Sequence, residues 1–138
     1  MKKHFLLLSF ALGSIIIPAH AADDHTALEN QMEAVDDAFK GFRRETDPVK
    51  GAAQAREAQN ATLKAIPEVP SMVKAMPDGA DKEKASATYR RMMSKLLVVF
   101  CEVEEAFLAG NTEEVAKIVD AVKAMKKEGH EKFVEEEE

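Results

Sequence analysis

Two stretches of the 138-residue chain repeat large apolar residues at alternating spacings of four and three. Leu28, Met32, Val35, Phe39 and Phe42 form the first series, and Tyr89, Met93, Leu96, Phe100, Val103 and Phe107 the second. This spacing returns a side chain to the same face of an α-helix at every step, and no strand can reproduce it. Each series demands a partner surface, so the chain must pack helix on helix. Composition agrees: with no Trp, one Tyr, six Gly and five Pro, the chain lacks the turns and aromatic strands of a β-sandwich or barrel.

The helical segments have readable boundaries. Asp24 or Thr26 is placed to cap the first. Asp47 followed by Pro48 ends that segment and starts a second, which runs to about Ile66. The second is Ala-rich and its stripe is weak: Val49, Ala52, Ala55 or Arg56, Gln59, Leu63, Ile66. Pro67, Pro70, Pro77 and Gly79 prevent residues 67–80 from forming one regular helix. That connection also carries Val69, Met72, Val73 and Met76, so it is expected to pack onto the body of the protein. A third long helix runs from about Asp81 to Ala109 and stops at Gly110. Asn111 or Thr112 caps a fourth, which carries Val115, Ile118, Val119, Val122, Met125 and Phe133 and fades into the acidic run Glu135–Glu138, a solubilising tail. Four amphipathic helices with short first and last connections predict an all-α, antiparallel up-down-up-down four-helix bundle.

Residues 1–21 read as an export signal rather than part of that bundle. Lys2 and Lys3 precede the apolar run Phe5–Ile17, Pro18 breaks it, and Ala19-His20-Ala21 is a small-x-small cleavage site. The run is shorter than the roughly 20 apolar residues that span a bilayer, so no membrane attachment is expected after cleavage. The style of the signal is bacterial, which predicts the periplasm. Removing 21 of 138 residues leaves 117, taken as one domain over residues 22–138. Two of the 19 basic residues and two of the four His leave with the signal, so 17 basic residues face 25 acidic ones, a net charge of −8. That balance argues against a nucleic-acid partner. The sole Cys, Cys101, excludes a disulfide framework and reads as a packed thiol.

Only His25 and His130 then remain for any histidine chemistry. His25 falls on a frayed terminus. His130 lies close to the end of the fourth helix, and Met32 sits about 9 Å along the first at ~1.5 Å per residue. In an antiparallel bundle the two share one level. At about 100° per residue His130 lies roughly 20° from Val119 and 60° from Val115 and Phe133, toward the core. Met alone is ordinary core filler, and a His near a helix C-terminus ordinarily sits at the surface. An inward thioether and an inward imidazole at one level match the axial ligand pair of an electron-transfer haem. Leu63, Ile66, Met92, Met93, Leu96 and the Pro/Met connection are the expected walls. No Cys-x-x-Cys-His is present, so such a haem is held non-covalently.

Several stretches resemble the soluble cytochrome b562 family. Leu28-Glu29-Asn30-Gln31-Met32-Glu33 resembles the ligand segment opening its first helix, and Lys127-Glu128-Gly129-His130-Glu131-Lys132-Phe133 its C-terminal ligand segment. Ala87-Thr88-Tyr89-Arg90-Arg91-Met92-Met93 and Ala106-Phe107-Leu108-Ala109-Gly110-Asn111 resemble the third helix and its exit. The resemblance implies a periplasmic electron-transfer protein with a b-type haem ligated by Met32 and His130; position in the bundle adds Leu63, Met92 and Leu96 as cofactor-binding walls of the one non-covalent haem b. It implies a redox partner protein, and a monomer is expected. Two other readings stay open at this stage. One is a haem-free helical adaptor. The other is a Cu(I)-binding protein, because six methionines (32, 72, 76, 92, 93 and 125) and two His remain after cleavage. An enzyme is not expected: Glu102, Glu104 and Glu105 look like a solvated helix face, and the Glu-x-x-His of di-iron bundles is missing.

Overall fold

A computed structural model describes residues 26–134. The segment read as an export signal, His25 and the acidic tail lie outside the described residues. Among the described residues the fold is entirely helical: α1 (Ala27–Phe42), α2 (Pro48–Ala65), α3 (Ser71–Lys74), α4 (Ala80–Leu108) and α5 (Thr112–Phe133). No helix among them is long and apolar enough to cross a membrane.

The helix starts follow from side chains that satisfy orphan backbone N–H groups. Thr26 Oγ1 accepts from the Glu29 N–H at 3.2 Å, and the Glu29 carboxylate accepts from the Thr26 N–H, a reciprocal capping box. Asp47 Oδ1 accepts from the Lys50 N–H at 2.9 Å, with Pro48 at the first helical position. Asn111, rather than Thr112, caps α5 through the Glu114 N–H at 3.1 Å. Gly110 takes φ +67°, the left-handed turn that ends α4 after Leu108 and lets the chain reverse.

Residues 67–80 are not a plain loop. They hold α3, which docks through the fully buried Val73 and packs on α4.

α2 departs from the weak stripe read in its sequence. Its buried face is Ala52, Ala55, Ala58, Ala61 and Ala65, while Val49 is 74% exposed and Leu63 53% exposed. The cause is the size of its neighbours. Phe39 and Phe42 of α1 and Phe100 and Phe107 of α4 fill the main core, with Phe42 edge-on to both Phe39 (centroids 5.4 Å) and Phe100 (5.9 Å). Four rings leave room on α2 only for a small side chain, an alanine or the fully buried Thr62. At Gly51 there is no room even for that, since a Cβ there would lie 2.3 Å from the Phe107 ring.

Cross-helix bonds establish direction. Arg56 pairs with Glu104, Gln59 donates to the Phe100 carbonyl, and the Tyr89 hydroxyl donates to the Ala65 carbonyl. As numbers rise along α2 they fall along α4, so the two helices run oppositely. Backbone packing joins α1 to α2, α2 to α4, and α4 to α5. α1 and α5 are not closely packed along their backbones. Their seam is therefore the wide one.

Candidate functional site

A cleft of about 1070 Å³ opens along that wide seam, walled by the N-terminal half of α1, the middle of α4 and the C-terminal half of α5. Beneath it lies a second, smaller core of Ala65, Tyr89 and Met93, with Leu28, Met32, Ile66, Leu96 and Phe133 packed against it. Each of these residues belongs to an apolar stripe, and the stripes converge here without filling the space.

Met32 is half-buried in the α1 wall of the cleft, and His130 lines its α5 wall with an exposed side chain. The structure thus brings together two residues that are 98 apart in sequence. Met92 and Leu96 are half-buried in the α4 wall, beside the buried Met93. Leu63 is not in the cleft. It is exposed on α2, whose buried face is carried by alanines and Thr62. Ile66 packs on the smaller core but does not line the cleft. Cys101, expected to be packed, is exposed on α4 and lies outside the cleft.

Other residues line the cleft that were not read as walls. Leu28, Val35, Phe39 and Phe133 add apolar surface. Tyr89 is held in place twice: its hydroxyl donates to the Ala65 carbonyl at 2.8 Å, and its ring meets Phe133 edge-on at 5.6 Å between centroids. Burial pushes the Tyr89 phenol up to about 12, with the Glu68 charge adding to the effect. Arg91, Lys95 and Lys126 bring cationic groups to the cleft. Lys126 was findable in the sequence, since it stands one helical turn before His130.

Asp36 also lines the cleft, one turn after Met32. Its carboxylate accepts from Lys126 Nζ at 2.5 Å and pairs with Lys40 Nζ at 2.8 Å. The Lys126 hydrogen bond, followed by that of Lys40, holds Asp36 below the usual carboxylate range. Among the described residues no group of three or more His, Cys, Asp or Glu gathers as a metal site. Alongside the carboxylates of Glu29, Asp36 and Glu128, the cleft offers the soft donors of its thioethers and one imidazole.

This donor set suits a planar, largely apolar cofactor carrying a metal. The cleft volume sits at the upper end of the roughly 300–1,000 Å³ usual for small-molecule sites. Its walls are mainly aliphatic and aromatic, and its cationic groups match a ligand with carboxylates at one edge.

No curated protein matches the sequence. A family model, cytochrome b562, matches residues 27–134, which takes in all five helices and both Met32 and His130. On that match, the chain belongs to the cytochrome b562 family.

Proposed function

We propose that this chain is a periplasmic electron carrier that holds one non-covalent b-type haem between the Met32 thioether and the His130 imidazole. Family membership supports haem binding and electron transfer in general terms. The observation that carries the specific reading is that Met32 and His130, on different helices, line one cleft of haem-compatible size and polarity. α1, α2, α4 and α5 serve as the four members of an up-down-up-down bundle, with α3 as an insertion in the second connection. Bound haem supplies a one-electron couple.

The protein's residues do the rest. The Met32 thioether and the His130 imidazole would hold the haem iron, a ligand pair that suits a one-electron carrier rather than a catalyst. Leu28, Leu96, Met93 and Phe133 would exclude water, and Arg91 and Lys95 would supply cationic partners for the carboxylates of such a cofactor. The described part of the chain would act as a monomer, passing electrons to a redox partner protein.

The test is reconstitution of the exported chain with haemin. The expected product has a six-coordinate, low-spin spectrum in both oxidation states. Met32→Ala should lose that spectrum and lower the potential; an unaltered spectrum in this variant overturns the ligand assignment.

One observation favours a second reading. Five of the six methionines beyond residue 21 (Met32, Met72, Met92, Met93 and Met125) line the cleft with His130. Thioethers and imidazole also suit Cu(I). Parallel titration of the apo-protein with haemin and with Cu(I) separates the two, because only haem gives a Soret band.

A further inference from the structure

Asp36 lies four residues after Met32, and Lys126 four residues before His130. Residues four apart are stacked on one face of a helix, about 6 Å apart along its axis. The Lys126 ammonium and the Asp36 carboxylate are in direct contact at 2.5 Å. In the up-down-up-down bundle proposed above α1 and α5 run oppositely, so joining them at 36 and 126 brings 32 and 130 level with each other, one turn further along. Among the described residues, the ion pairs joining different long helices are Arg56–Glu104, between α2 and α4, and Asp36–Lys126, between α1 and α5. The first crosses a seam already closed by backbone packing; the second crosses the wide seam.

We infer that Asp36 and Lys126 are positioning residues, a strut that sets the register of Met32 against His130 across the cleft. This rests on the haem reading. The pair is partly exposed, so it contributes little to global stability. Its leverage is geometric, because a ligand constellation tolerates errors of only about 0.5 Å. Lys40, on the same helix as Asp36, steadies the carboxylate from behind.

The experiment compares Lys126→Met, Asp36→Ala, the double variant and Lys126→Arg in the full exported chain. The readouts are the ferric low-spin fraction, the midpoint potential, the rate of haem loss, and amide hydrogen exchange of residues 129–133 in the apo-protein. Each single variant should lower the low-spin fraction, shift the potential and speed haem loss by about two- to fivefold, the range of a partly exposed ion pair. The double variant should be no worse than the singles, and Lys126→Arg should behave as wild type. Wild-type spectra and haem loss in the single variants overturn the strut. So do additive effects, which would mean that Lys126 acts on the porphyrin carboxylates instead. If the wild-type chain takes up no haem, the haem reading fails and the strut is judged on the apo-protein alone. Faster exchange at residues 129–133 in Lys126→Met then supports it, and unchanged exchange overturns it.

Discussion

The Tyr89 hydroxyl donates to the Ala65 carbonyl at 2.8 Å, tying the middle of α4 to the last turn of α2 directly beneath the cleft. The same carbonyl also accepts from the Glu68 N–H at 3.0 Å. Tyr89→Phe therefore removes a hydrogen bond without orphaning the acceptor. The expected cost is at the low end of ~0.5–1.5 kcal/mol, read by urea denaturation of the apo-protein.

Tyr89 is the only tyrosine in the chain, so its ionisation can be followed by absorbance without assignment. The phenol should titrate at about 12 in the folded protein. A raised acid stabilises the fold while it stays protonated. That contribution is fully present below the unfolded value of ~10 and is lost as pH rises from there through the folded value. Wild type should lose stability relative to Tyr89→Phe between those limits, and parallel curves would contradict the burial of this side chain.

Asp36 gives the opposite sign. Its pKa is lowered, first by Lys126 and then by Lys40, so its stabilising contribution is present above the unfolded value of ~3.9. It is lost as pH falls through the lower folded value. The difference in stability between wild type and Asp36→Ala should be constant near neutral pH and shrink to nothing in acid. High salt should shrink it as well.

Two glycine replacements should differ in sign. Gly51→Ala places a methyl group 2.3 Å from the Phe107 ring and should cost about 1–3 kcal/mol, despite the better helix propensity of alanine. Gly129→Ala, within α5 and with nothing within 4 Å of the new Cβ, should stabilise the apo-protein by ~0.5–1 kcal/mol. Thermal melts of the two variants decide both.

Leu63 and Leu96 provide a test of the cleft's boundary. Leu96→Ala removes a wall and should weaken haem binding and destabilise the fold. Leu63→Ala, on an exposed side chain, should leave haem affinity unchanged and alter stability by less than about 0.5 kcal/mol. Equal losses of haem affinity would return Leu63 to the site.

What was legible in the sequence tracks side-chain size. α1, α4 and α5 announce their inward faces with Phe, Met, Val and Ile, and their caps and the Gly110 stop lie where turn chemistry predicts. α2 was legible as a helix from Asp47 and Pro48, but its phase was not. Its inward residues are alanines, which carry almost no periodic signal. The stripe read there caught the buried Ala52 and Ala55 and the packed Ile66, but its large residues Val49 and Leu63 are exposed. That Met32 and His130 line one cleft could be anticipated by counting turns from the two ends of the chain. The width of the cleft could not, because it depends on how α1 and α5 fail to pack, which no local pattern records. Of the partners of Asp36, Lys40 is visible at i+4, but the pairing with Lys126, 90 residues away, was hidden.

The alanine face of α2 has a consequence for how this sequence can vary. The residues at 52, 55, 58, 61 and 65 hold α1 and α4 at a distance set by a methyl group, and any longer side chain there acts as a spacer between both neighbours at once. The large stripes of α1, α4 and α5 can exchange one hydrophobe for another of similar volume and repack. α2, the least distinctive stretch to the eye, is then the one with the least freedom to drift.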